Sequence, residues 1–162
     1  PIYVLLIPLY LFITKIGWMD TYVGVIVPFT AMGAVSGFGV FLMRQHMISL
    51  PTALLDAARI DGSSEFRLYW QFSLPTAKPA LVTLGIIAFM LSWNNFLWPL
   101  VVLKSSEKFT LTIGLFEFQS IYNVDWGAIM AGSFLATIPI LIVFLLLQKY
   151  YVSGITFGAL KE

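Results

Sequence analysis

One histidine, His46, and no cysteine leave no residue set that could hold zinc or form a Cys/His catalytic pair. No G-x4-G-K-[ST] phosphate loop is present, so the chain does not hydrolyse ATP through such a loop. All eight acidic residues lie outside the long uncharged runs. That leaves no intramembrane carboxylate relay of the kind proton- or ion-coupled transporters keep. The chemistry that remains is binding. Ser92, Asn94 and Asn95 cluster near the middle of the uncharged run Pro79–Leu103, flanked by Trp93 and Trp98. Amides bond hydroxyls and an indole face stacks on a ring, so Trp93, Asn94, Asn95 and Trp98 suit the pathway of a sugar. The same groups suit interhelical hydrogen bonds that fix packing, worth about 1 kcal/mol or less each. A second, charged set, Asp56, Arg59 and Asp61 with Gly62 beside it, lies in the polar stretch Leu50–Lys78. His46 sits next to the end of an apolar run near Arg44 and reads as an interfacial residue.

The elements that must position these residues follow from composition. Hydrophobic residues make up 59% of the chain, charged residues 10%, and the mean hydropathy is +0.90. A soluble domain carries about 25% charge, so the chain lacks the polar residues to cover a water-facing surface. No charge falls within residues 1–14, 21–43, 79–103 or 126–148. Three of these runs reach the roughly 20 residues a helix needs to cross the hydrocarbon core. In that core the backbone must satisfy itself, which requires helices. The expected architecture is all-α: a polytopic transmembrane helix bundle with a truncated span at 1–14 and full spans at 22–44, 79–103 and 126–148. The short first run, starting at a proline, is read as a span cut at its start, so the chain is the C-terminal part of a longer protein. It has no basic n-region and no small-residue cleavage site, which argues against a signal peptide.

The polar segments fall into two sets. Lys15, Lys104 and Lys108 mark one side; Arg44, Arg59, Arg67, Lys78, Lys149 and Lys161 mark the other. Excess Lys and Arg marks the cytoplasmic side, which places Leu50–Lys78 and the C-terminus inside and Lys104–Asp125 outside. Small residues at four-residue spacing, Gly33 and Gly37, then Ala128, Gly132 and Ala136, provide faces for close helix contact in lipid. Pro28, Pro99 and Pro139 interrupt three spans. Leu111, Leu115, Phe118 and Tyr122 recur at helical spacing, as in an amphipathic helix lying in the interface. The aromatics sit in or beside the apolar runs and are not interleaved with basic clusters, so nucleic acid is not an expected partner.

The inside stretch, 49–78, is longer than a connector needs to be. Pro51 fits the first turn of a helix, Gly62 fits the left-handed position after its end, and Ser63 or Ser64 can cap a second helix with Glu65 in its first turn. Asp56-Ala57-Ala58, then Gly62, then Leu74-Pro75 resembles the EAA loop of permease subunits from bacterial ABC importers, EAA-x3-G-x9-I-x-LP, with Phe72 at the Ile position and Asp56 at the Glu position. The string from Asp56 to Gly62, Trp93-Asn94-Asn95-Phe96-Leu97-Trp98-Pro99 and the ending with Gly154 and Gly158 are similar to the carbohydrate branch. That branch includes the second permease subunit of maltose and glycerol-3-phosphate importers.

The resemblance implies one transmembrane permease domain over 1–162 that is not itself an enzyme. It implies a sugar or polyol pathway in the bacterial plasma membrane and a coupling helix seated in a separate ATPase, with Asp56, Ala57, Ala58, Asp61, Gly62, Leu74 and Pro75 as the coupling residues. It also implies a second permease, two ATP-binding subunits that carry ATP and Mg, and an extracytoplasmic solute-binding protein. The chain itself would bind no cofactor. The competing readings are a secondary transporter and a structural membrane subunit without an ATPase partner. A secondary transporter would need a relay that these runs lack, and a scaffold would not need the spaced inside motif.

Overall fold

The computed structural model describes residues 2–32, 34–119 and 124–159, and it is helical, with no strand among the described residues. In chain order the helices are α1 (Leu6–Lys15), α2 (Tyr22–Met32), α3 (Ala34–Ile48), α4 (Thr52–Ile60), α5 (Glu65–Leu68), α6 (Leu74–Thr76), α7 (Lys78–Trp93), α8 (Leu97–Val102), α9 (Leu111–Glu117) and α10 (Trp126–Ala159). A π-helical turn, Tyr69–Ser73, joins α5 to α6, so Glu65–Thr76 is one continuous helical segment. The chain divides into two compact units, one of residues 1–33 and 90–142 and one of residues 34–89 and 143–162.

Among the described residues one helix is by itself long and apolar enough to cross a membrane, Trp126–Gln148 within α10. Residues 22–44 carry α2 and α3, on either side of Gly33, which lies outside the described residues. Residues 79–103 do not form the single helix that composition suggested: α7 ends at Trp93 and α8 starts at Leu97. Pro99 explains the break. In a continuing helix its ring would strike the carbonyl four residues back, that of Asn95. Here that carbonyl instead accepts a hydrogen bond from Thr112 Oγ1 at 3.2 Å, and Pro99 occupies the first turn of α8, where no N–H is needed. Pro28 and Pro139, by contrast, sit inside helices that continue past them.

In the first unit Ile13, Val102, Leu103, Ile113 and Ile129 are buried. Helix α9 covers Leu111–Glu117; Ile113 is buried and Leu111, of the expected stripe, is 43% exposed. Tyr122 lies outside the described residues. The small face of α10 is used where α9 comes near. A Cβ built on Gly132 would overlap the end of Leu115, and the Ala136 carbonyl accepts the Trp93 indole N–H at 3.2 Å.

In the second unit Ala58, Leu68, Ala77, Ala80 and Ile86 are buried. Here Gly37 meets nothing within 4 Å, whereas a Cβ on Gly39 would stand 3.1 Å from the Leu84 side chain. The described glycine of α3 that meets another helix is therefore Gly39, outside the expected pair. His46 fastens the unit locally: its Nε2 donates to the Thr76 carbonyl at 3.1 Å.

Candidate functional site

The inside stretch folds from local signals. Pro51 stands at the N-cap of α4 with extended ψ. At the other end Asp61 is the C-cap and Gly62 has φ +80°. Gly62 N–H donates to Arg59 O and Ser63 N–H to Ala58 O, both at 3.0 Å. This is a Schellman ending, which satisfies carbonyls that a helix end otherwise leaves bare. Ser64 then caps α5 by accepting from the Arg67 N–H at 3.4 Å. The π-helical turn precedes Pro75, whose missing N–H and ring disfavour a regular α-helical bond there.

Arg59 ties the two helices together. Its Nε and second terminal nitrogen reach the two Glu65 carboxylate oxygens at 2.8 and 3.3 Å, and its first terminal nitrogen reaches Asp56 at 2.8 Å. The hydrogen bond to Glu65 first, and that to Asp56 next, push the guanidinium above its ordinary value. In return Arg59 holds the Glu65 carboxyl below the usual range. All three side chains are roughly half or more exposed, so water screens the network and its use is geometric more than energetic.

The motif residues divide by exposure. Asp56, Ala57, Asp61 and Gly62 face solvent, whereas Ala58 is buried. That narrows the small surface expected of Ala57-Ala58 to Ala57, because Ala58 is used inside the loop. Asp56 is held by Arg59 and is not a bare carboxylate. Leu74 is half-buried and Pro75 exposed. Arg59 and Glu65 belong to this site although the motif does not name them. The three-residue spacing of Asp56 and Arg59 is the signal for the first pair; the second pair crosses the Gly62 turn and leaves no such signal.

The polar cluster lies at the break between α7 and α8, in the first unit. The Asn94 side chain donates to Met90 O at 2.8 Å and so closes the end of α7. Asn94, Asn95 and Trp98 line a cavity of about 320 Å³ whose remaining wall is apolar, with Leu6, Leu9 and Phe29 among its residues. Trp98 presents ring surface there while its indole N–H is taken by Gly24 O at 3.2 Å. Trp93 does not line the cavity. Three of the four expected residues are thus brought together.

A third feature has no signature in the sequence. Asp20, in a left-handed conformation with φ 55°, sits in the turn between α1 and α2. Its carboxylate accepts from the backbone N–H of Lys104 at 2.9 Å, the N–H and hydroxyl of Ser105 at 3.0 and 2.5 Å, and Lys108 Nζ at 2.8 Å. Lys108 above all, then Ser105 and Lys104, hold this carboxyl well below the ordinary carboxylate range. A depressed folded-state value stabilises the protein above the unfolded value, and that contribution fades as pH falls. Asp20→Asn keeps a side chain that tolerates the left-handed region and removes only the charge. It is expected to lower the melting temperature between pH 6 and pH 8, and the gap to wild type should shrink below about pH 4. A gap independent of pH would show that the charge is not what Asp20 contributes.

Comparison with known proteins agrees with the loop. Residues 1–157 match the family described as binding-protein-dependent transport system inner membrane component. The chain is 43% identical over 161 residues to the arabinooligosaccharides transport system permease protein AraQ of Bacillus subtilis, a match covering 99% of this chain and 56% of that protein. It is 35% identical to the lactose transport system permease protein LacG of Rhizobium radiobacter, over 99% of this chain and 57% of that one. It is 34% identical to the sn-glycerol-3-phosphate transport system permease protein UgpE of Yersinia pestis, over 96% and 54%. The chain therefore spans about half the length of the curated relatives it matches. Among solved structures, the crystal structure of a bacterial ABC transporter involved in the import of the acidic polysaccharide alginate superposes with a TM-score of 0.70 at 30% identity, over 90% of this chain and 55% of that chain. With a helical fold, a capped polar loop and a match along nearly its whole length, the chain belongs to the family of inner membrane components of binding-protein-dependent transport systems.

Proposed function

We propose that this chain belongs to the membrane-spanning subunit of an ATP-driven importer, forms part of the pathway for a sugar or related polyol, and couples that pathway to a separate cytoplasmic ATPase. The observation that carries this reading is the capped pair of helices around Gly62, which exposes Asp56, Ala57 and Asp61 to water in a chain otherwise dominated by apolar helices. The spans are 1–14, 22–44, 79–103 and 126–148, within one domain of the bacterial plasma membrane. Leu50–Lys78 and the C-terminus are cytoplasmic, following the six basic residues on that side against three on the other. The partners are a second permease, two ATP-binding subunits and an extracytoplasmic solute-binding protein. ATP and Mg belong to the ATPase; this chain is not the enzyme and carries no cofactor. The solute class follows the relatives, whose names give arabinooligosaccharides, lactose and glycerol 3-phosphate.

The test is uptake into proteoliposomes holding the full-length protein with its ATPase and binding protein, offered those solutes in turn. Uptake that needs internal ATP and survives ionophores is the expected result. Uptake abolished by ionophores and indifferent to ATP would establish a secondary transporter instead.

Asn94, Asn95 and Trp98 are the residues of this chain that meet solute. Coupling rests on Asp56, Ala57, Asp61 and Gly62, with Ala58 and Leu74 shaping the loop from within and Pro75 setting the backbone ahead of α7. Asn94→Ala is expected to change the preference among these solutes severalfold. Trp93→Ala, which removes a bond to α10, is expected to lower stability without altering preference. A purely stability-related effect of Asn94→Ala would assign the amide to packing.

A further inference from the structure

Glu65–Thr76 carries more exposed aromatic surface than a water-facing connection needs. Phe66 is 75% exposed, Trp70 52% and Tyr69 44%. Their rings form one patch: Phe66 and Trp70 lie 6.1 Å apart between centroids, and Tyr69 meets Trp70 edge-on at 5.7 Å. Contiguous apolar patches of this kind mark contact with another macromolecule or a membrane.

The helix spends its other side on α4. Leu68, two residues from both Phe66 and Trp70, is 3% exposed, and a two-residue step places it on roughly the opposite side of a helix. Helices α4 and α5 are in contact, and Ala58 is the buried residue of α4. Asp56, Arg59 and Asp61 are exposed at the α4 end, while Glu65, Arg67 and Lys78 are exposed charges along the second segment and at its bend. The buried Leu68 side and the aromatic patch therefore lie on different faces of that segment.

Direction supplies the third observation. Glu65–Thr76 meets α7 with a bend of 69°. For a span tilted by about 20°, the preceding helix lies roughly 50–90° from the bilayer normal, closer to the membrane plane than to a crossing direction. Two exposed cations belong to this stretch: Arg67, whose side chain is laid along the helix by a 2.8 Å bond from its Nε to Gln71, and Lys78 at the bend.

We propose that Glu65–Thr76 is an interfacial helix seated in the headgroup layer of the leaflet from which α4 projects. Phe66, Tyr69 and Trp70 are its anchors, and Arg67 and Lys78 face anionic lipid headgroups. Aromatic side chains favour this layer because one end is apolar and the other tolerates water. Basic residues near an anionic surface add attraction. The occupant is lipid because the patch is continuous along the chain with an apolar span, on a segment bent toward the membrane plane whose cations, Arg67 and Lys78, complement anionic headgroups. The inference rests on the reading of α7 as a membrane span. Its consequence is that α4 hangs at a set depth below the membrane.

The chain has no cysteine; single spin labels are placed in the full-length protein, with any cysteine outside these residues replaced by serine, in nanodiscs of phosphatidylcholine and phosphatidylglycerol. Labels go at Phe66→Cys, Tyr69→Cys, Gln71→Cys and Asp56→Cys, with Leu81→Cys on α7 as the reference for the span. Power saturation compares access by oxygen, which concentrates in lipid, with access by a water-soluble nickel complex. Labels at 66 and 69 should favour oxygen severalfold over the labels at 56 and 71, and Arg67→Gln with Lys78→Gln should reduce that preference at 69. Labels at 66 and 69 as open to nickel as the label at 56 would overturn the proposal. Protection of those sites from both reagents would also overturn it, by showing a protein partner over the patch. A label at 81 that favours nickel would instead refute the span reading on which the inference rests.

Discussion

Gly62→Asp is expected to reduce ATP-driven uptake roughly tenfold or more while leaving the protein in the membrane. A Cβ at this position meets nothing within 4 Å, so the effect is not steric. Part of it comes from φ +80°, a left-handed conformation that costs most side chains about 1–2 kcal/mol and aspartate or asparagine less; each 1.4 kcal/mol is a factor of ten in population. The added carboxylate also stands beside Asp61 and near Glu65, opposing the exchange of charge that Arg59 arranges. Losing the turn frees the Gly62 and Ser63 N–H groups from Arg59 O and Ala58 O and lets α4 swing relative to α5. Gly62→Asn isolates the charge, because asparagine and aspartate both tolerate the left-handed region; it should retain much of the uptake. Parallel assays of uptake and ATP hydrolysis check the result, and normal uptake by Gly62→Asp would count heavily against the coupling role.

Gly24→Val is expected to destabilise the first unit by about 3 kcal/mol, the upper part of the overpacking range. A Cβ there would run into the carbonyl oxygen of Trp18 and stand 3.2 Å from a Val102 methyl. Backbone cannot rotate aside as the end of Leu115 can at Gly132. The Gly24 carbonyl also accepts the Trp98 indole N–H, so a displaced α2 loosens the cavity wall as well. Gly85, with nothing within 4 Å, provides the control: Gly85→Ala should be neutral or stabilising by up to about 1 kcal/mol through helix propensity. Thermal melts in detergent, read by the fraction of monodisperse protein, distinguish the two. Equal melting curves for Gly24→Val and wild type would refute the close approach.

The loop was legible because its signals are local. Gly62 after an amphipathic turn, Ser64 before Glu65 and the proline at the start of α4 each act over four residues or fewer, and the backbone follows them. The break at Asn94–Phe96 was harder to read. Nothing in the uncharged run 79–103 distinguishes one helix from two until the Pro99 ring is set against the Asn95 carbonyl and Thr112 is found to take that carbonyl's bond. The contact of Gly39 was hard to read for a related reason: spacing nominated Gly33 and Gly37, whereas the approach at Gly39 depends on Leu84, 45 residues away. Asp20 was the least legible. Its partners lie 84 to 88 residues away, and a lone aspartate in a polar turn gives no sign of them.

The π-helical turn Tyr69–Ser73 has a genetic meaning. It houses one residue more than an α-helical turn would, so everything downstream is out of phase by about 100° with a regular continuation. A single-codon deletion within it would keep every motif residue and every charge intact. It would still rotate Leu74, Pro75 and the start of α7 onto a different face. The spacing between Gly62 and Leu74-Pro75 is therefore a record of phase: it sets how far the helix has turned by the time the chain enters α7.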